Sequence, residues 1–174
     1  KLTIQAGIDA LPAAGGAVHV RGTYTVGGSI TTNKPTQILG YGARINLSAS
    51  TNGFSVDTAN GDTATPVVIE GFYIDGQDNA TTIGFRIFDC DRVTVRDCFI
   101  EDCTTGIQFE TSAAAAWCED HLIENVMIRS GTTGINFLKG ASGAVSFGEI
   151  KLMKVGISEC TTGINLGASV VAYR

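Results

Sequence analysis

Apolar and polar residues alternate along this chain in short runs, and the runs repeat. From Val95 the sequence reads Val-Arg-Asp-Cys-Phe-Ile-Glu-Asp-Cys-Thr-Thr-Gly-Ile-Gln-Phe109, and the same fifteen-residue unit recurs at Ile123–Phe137 and Leu152–Leu166. The offsets are 28 and 29 residues (95 to 123, 123 to 152), with no gap inside the unit. Apolar columns align at Val95/Ile123/Leu152, Cys98/Val126/Val155, Ile100/Ile128/Ile157, Ile107/Ile135/Ile164 and Phe109/Phe137/Leu166. Within a run the spacing is two, which belongs to a half-buried strand and not to a helix. Each run spans about three residues before a turn such as Thr104-Thr105-Gly106. A repeat of this length buries its apolar face only against its neighbours. The pattern therefore predicts an all-β chain, a parallel β-helix whose aligned residues stack about 4.8 Å apart.

One segment breaks the strand pattern. Thr3 to Leu11 predicts a helix, with Thr3 as N-cap and Ile4, Ile8 and Leu11 on one face; Pro12 and Gly15-Gly16 end it. Ahead of a solenoid, such a helix covers the apolar end of the first coil. Irregular stretches at Asp57–Pro66, Asp75–Thr82, Glu110–Asp120 and Lys139–Val145 interrupt the coils, and the Ala113–Ala116 run with Trp117 reads as a loop insertion. Ser169–Arg174 begins a further strand that stops without a cap. We read residues 1–174 as one β-helix domain, with a helical cap at 3–12 and coils at 17–174, and as a fragment of a longer chain.

The N-terminal block carries a resemblance. Ile4-Gln-Ala-Gly-Ile-Asp-Ala-Leu11, Gly15-Gly-Ala-Val-His-Val20, Gly22-Thr-Tyr-Thr-Val26 and Gly40-Tyr-Gly42 together resemble the opening of the pectate-lyase-like superfamily. That resemblance implies a single-stranded right-handed parallel β-helix with a short N-terminal capping helix. It leaves function open, because the superfamily holds lyases, hydrolases, epimerases and phage tailspikes.

Composition narrows the classes. A hydrophobic share of 44% in 174 residues sustains a core, and 22 Gly against 3 Pro fits many tight turns. A net charge of −5 without a Lys/Arg cluster argues against a nucleic-acid partner, and the sequence has no apolar run of membrane-spanning length. The five cysteines are odd in number. Cys98 shares an apolar column. Cys103 and Cys160 stand two rungs apart, too far to bridge, whereas Cys90 and Cys118 align in adjacent rungs where a bridge is geometrically open. Free stacked thiols are the reading we favour, with folding in a reducing cytoplasm.

Candidate chemistry follows from position. The outward residues of the Gly-Ile-Gln-Phe strand form a column of Arg86, Gln108, Asn136 and Asn165, groups suited to sugar hydroxyls and carboxylates, though stacked amides also satisfy one another. By resemblance, this strand floors the substrate groove of polysaccharide-acting members. Trp117 is a further ligand-binding candidate, as a stacking surface or as a plug of its loop.

The column lacks the two acids that glycoside hydrolysis requires. The polygalacturonase-type signature is missing too, and His121 falls in an inward column with Val93 and Ile150. Asp89, Asp91, Glu110, Glu119 and Asp120 lie near the groove edge. Asp91 and Glu119, aligned in neighbouring rungs, are the one catalytic candidate pair, set against a plain surface ladder that includes Arg92 and Asp120. Asp75, Glu101 and Arg129 form a second charged column of the same kind. A pectate-lyase-type Ca²⁺ site needs several clustered oxygens, for which the acids near the groove edge are the candidates; nothing further in the sequence supports Ca²⁺, and no cofactor or metal is expected. Tyr73, Phe99 and Met127 align as an outward stripe that suits an interface between solenoids.

These features predict a carbohydrate-interacting module with a polysaccharide partner, set in a homotrimer or a longer β-helix. It would belong to a tailspike-like virion protein or another extracellular protein. The alternative is a polysaccharide lyase or hydrolase acting on an acidic glycan.

Overall fold

The computed structural model describes residues 3–57, 66–112, 117–139 and 146–167, the side chains of Trp117 and Ser146 excepted. The expectations for Ala113–Ala116 and Ser169–Arg174 lie outside the described residues.

Parallel strands stacked rung on rung build a β-solenoid. The first sheet runs through Gly16–His19, Thr36–Leu47, Val67–Asp75, Val93–Glu101, Leu122–Arg129 and Lys151–Met153, with Thr23–Val26 and Gly156–Ser158 pairing alongside. The second sheet stacks Ile30–Thr32, Asn52–Asp57, Ile83–Phe88, Thr105–Thr111, Thr133–Lys139 and Thr162–Leu166. Trp117–Glu119 and Ser146–Gly148 pair as a small third sheet, within a segment whose composition suggested only loop.

The repeat alignment holds as strand register. Val95 pairs with Ile123, Cys98 with Val126, Ile107 with Ile135 and Phe109 with Phe137. Their side chains fill one core between the sheets, in which Ile69, Ile74, Phe85, Ile100 and Phe109 are fully buried. Ring stacking adds to area burial: Phe109 lies 5.0 Å from Phe137, and Phe54 lies 5.5 Å from Phe85.

The corners of each coil are marked by left-handed backbone at polar residues. Arg92, Asp120 and Glu149 (φ 58°, 55°, 49°) form one such column. Asp97, Asn125 and Lys154 (54°, 50°, 52°) form a second, and Asp102, Ser130 and Glu159 (54°, 57°, 56°) a third. Asp and Asn enter this region most readily among residues with a Cβ. The second column bends each first-sheet strand into two short arms, which explains why its apolar run breaks after about three residues.

Gly106 is not part of a turn, contrary to expectation from the Thr-Thr-Gly motif. It sits inside the strand Thr105–Thr111 with φ outside the positive range, and the chain turns at Asp102 instead. What the position requires is space. A Cβ on Gly106 would lie 2.5 Å from Ile128 Cγ2 and 2.7 Å from the Gly134 carbonyl oxygen, and Gly53, Gly84 and Gly134 meet the same obstruction from the next rung.

The helix spans Ile4–Asp9, shorter than Thr3–Leu11, with the Thr3 hydroxyl accepting from the Ala6 N–H. Ile4 and Ile8 are buried against the first coil. Gln5 closes the edge of the second sheet. Its Oε1 accepts the Thr31 N–H at 2.7 Å while its Nε2 donates to the Thr31 carbonyl at 3.1 Å, so one side-chain amide does what a further strand's backbone would do.

Candidate functional site

The second sheet projects a continuous row of hydrogen-bonding side chains away from the core. Strand register aligns Thr31, Ser55, Arg86, Gln108, Asn136 and Asn165 in six successive rungs. The four residues expected from the repeats are therefore brought together. The amides link along the row: Asn165 Nδ2 donates to Asn136 Oδ1 at 2.8 Å, and Asn136 Nδ2 donates to Gln108 Oε1 at 3.1 Å. The chain ends on a carboxylate, since Gln108 Nε2 donates to Glu110 Oε2 at 2.9 Å and Arg86 Nε lies 2.7 Å from the same oxygen. The Arg86 guanidinium also covers the Phe88 ring at 4.3 Å. These bonds hold the side chains in register; Gln108 and Ser55 are buried within the row, whereas the amides of Asn136 and Asn165 keep capacity open to a ligand hydroxyl.

Glu110 had no assigned part in this row, although it lies two residues beyond Gln108 on the same face and period two points to it. Thr31 and Ser55 were missed because the early coils lack the Thr-Thr-Gly signature. The signal was Gly53-Phe-Ser-Val, which matches Gly84-Phe-Arg-Ile residue for residue in type.

Asp91 and Glu119 meet differently from the arrangement expected of an acid/base pair. Asp91 Oδ1 accepts the Glu119 backbone N–H at 3.2 Å, tying one rung to the next. The Glu119 carboxylate packs over Gly148 on the far side, with Cδ 3.2 Å from where a Cβ on that glycine would stand. Burial pushes the Asp91 carboxyl up from its usual value, and the Glu119 charge adds to this against the Glu119 N–H. Arg92 and Asp120 do form the ladder contact, at 3.8 Å, and Arg129 pairs with Glu101 at 2.8 Å.

His121 is a buried core residue just ahead of the strand Leu122–Arg129, and it stacks on Phe109 at 5.4 Å. Its Nδ1 accepts the Val93 N–H at 3.1 Å, which places the ring proton on Nε2, 3.3 Å from Cys118 Sγ. Burial lowers its pKa to about 3, and burial raises both the Cys90 and Cys118 thiols, so this buried pair is neutral and unreactive. All five cysteines are free, Cys90 and Cys118 included.

The buried imidazole makes stability depend on pH. The unfolded side chain takes up its proton near pH 6.5 and the folded one only near pH 3, so acid favours unfolding and stability is lost progressively between those values. Urea unfolding should show a loss of about 1 kcal/mol between pH 7 and pH 5.5. His121→Gln, whose amide oxygen can still accept from Val93, should lack this dependence.

Tyr73, Phe99 and Met127 pair in register on the outer face of the first sheet. The two rings stack on each other at 5.0 Å, with Arg44 4.3 Å over Tyr73 and Arg129 5.5 Å over Phe99. Both ring faces are thus occupied, and only edges are presented to a partner or a sugar. The backbone of Trp117 belongs to the third sheet, but its side chain lies outside the described residues. Among the described residues, no helix is long and apolar enough to cross a membrane.

Fold and surface together define a parallel β-solenoid module with a polar row along one sheet. No family model and no curated protein matches the chain. Among solved structures, the ORF18 protein of Geobacillus virus E2 is similar, with a TM-score of 0.63 at 18% sequence identity over 87% of this chain. The likeness covers 38% of that protein, well under two thirds of its length, and at this identity it shows a shared fold.

Proposed function

We propose that the chain is a β-solenoid module of a virion protein, such as a tailspike, that binds polysaccharide along its second sheet. The observation that carries this reading is the six-rung outward row from Thr31 to Asn165. Amides and hydroxyls at a rung spacing of about 4.8 Å give a long, regular set of donors and acceptors for a chain of sugars. Support for a viral setting comes from the fold shared with the Geobacillus virus E2 protein and from the motifs resembling the pectate-lyase-like superfamily. Five free cysteines fit a protein that folds in a reducing cytoplasm before it reaches a virion or the cell exterior. The module acts as part of a homotrimer or a longer solenoid, which its mass in solution would establish.

A glycan panel tests this. The chain should bind at least one polysaccharide, and Gln108→Ala with Asn136→Ala should weaken binding about tenfold or more, since each lost hydrogen bond is worth about 1 kcal/mol. Binding to no glycan, or full affinity in the double variant, would reject the reading.

The alternative is a polysaccharide lyase or hydrolase acting on an acidic glycan through Asp91 and Glu119, which lie in neighbouring rungs with Asp91 Oδ1 3.2 Å from the Glu119 backbone nitrogen and its carboxyl raised by burial. Appearance of new chain ends in the same panel, abolished by Asp91→Asn, would support it instead.

A further inference from the structure

The outward row runs into a cavity of about 660 Å³ at the N-terminal end, between the capping helix and the second sheet. Thr31, Ser55 and Arg86 enter it from the row, and its charged lining is Asp9, Lys34, Asp57 and Arg86. This volume accommodates one or two sugar units.

Both cations are already engaged. Lys34 Nζ lies 2.8 Å from the Leu11 carbonyl oxygen and 3.4 Å from that of Asp9, where it neutralises the end of the helix. Arg86 is bonded to Glu110 at 2.7 Å, and the fields of Asp57 and Asp89 reach it as well. An incoming carboxylate would meet Arg86 beside a Glu110 carboxylate that already shares its charge, while facing Asp9 and Asp57 across the cavity. A sugar hydroxyl meets no such opposition, because it donates to these carboxylates and accepts from the neighbouring amides and hydroxyls.

We infer that this cavity is the anchoring subsite of the row, and that it selects a hydroxyl-rich sugar unit carrying no negative charge over an acidic one. The inference rests on the glycan-binding reading and names its substrate class, turning away from the acidic glycan that the sequence suggested for the enzyme alternative.

The test is a set of purified oligosaccharides matched in length, neutral against uronate-containing, titrated into the wild-type chain, Asn33→Trp and Asp57→Asn. Asn33 lines the cavity from an exposed turn, so a Trp there fills the space without entering the core. The neutral set should bind about tenfold or more tightly than the acidic set. Asn33→Trp, checked for an unchanged melting temperature, should weaken neutral binding by a similar factor. Asp57→Asn should narrow the gap between the two sets.

Equal or tighter binding of the acidic set overturns the inference and leaves the glycan-binding reading standing. Undiminished neutral binding in a folded Asn33→Trp variant does the same. Binding of neither set removes both.

Discussion

Replacing Gly106 with Ala should lower stability by about 3 kcal/mol, and the melting temperature by about 6–12 °C for a chain of this size. The added methyl meets Ile128 Cγ2 at 2.5 Å and the Gly134 carbonyl at 2.7 Å. A carbonyl fixed in the rung ladder cannot yield without shifting the strand, so overpacking here moves backbone and not merely a rotamer. Gly163 occupies the same column one rung beyond Gly134 and has nothing within 4 Å of the equivalent position. Gly163→Ala should therefore be neutral or slightly stabilising, through the lower entropy of the unfolded chain. Thermal melts of the two variants check the stacking directly.

Phe109→Ala should be of similar or greater severity, at about 3–5 kcal/mol. Phe109 is fully buried between Ile87 and Phe137 in its column and also supports His121, so its loss leaves a cavity bordered by three side chains that cannot collapse together. Leu166 is the last member of the same column among the described residues, at 62% exposure, and Leu166→Ala should change stability by less than about 1 kcal/mol. In a solenoid each rung is held by its neighbours, so identical columns give position-dependent losses. Urea midpoints of the two variants would show that dependence.

Residue identities exposed the stacking because a core column demands an apolar residue at the same phase in every coil. Val93, His121 and Ile150 could thus be aligned before any strand was seen, and the position of His121 followed. The corners were less legible. Arg92, Glu149 and Lys154 adopt left-handed backbone despite bulky side chains, held there by rung-to-rung bonds such as the Arg92 N–H to the Glu119 carbonyl at 3.2 Å. No local propensity announces that. Gly106 was misread for a related reason: glycine in sequence suggests conformation, whereas here it answers a close approach from Ile128, a residue 22 positions away (106 to 128).

The candidate row was legible where the repeat is strong, at Gln108, Asn136 and Asn165. Its start at Thr31 and Ser55, and the ending of its hydrogen-bonded amide chain on Glu110, depend on contacts between coils that a single unit does not encode. The third sheet at Trp117–Glu119 was hidden because that strand lies inside the irregular stretch Glu110–Asp120 and its partner, Ser146–Gly148, directly follows another, Lys139–Val145.

The account stands most directly on whether glycan contacts the outward row. The side-chain amide signals of Gln108, Asn136 and Asn165 can be followed by nuclear magnetic resonance as an oligosaccharide that binds the chain is added. The account predicts that these three signals shift together at saturable ligand concentrations. Unmoved amides, with shifts instead at Tyr73, Phe99 and Met127 on the first sheet, would contradict it.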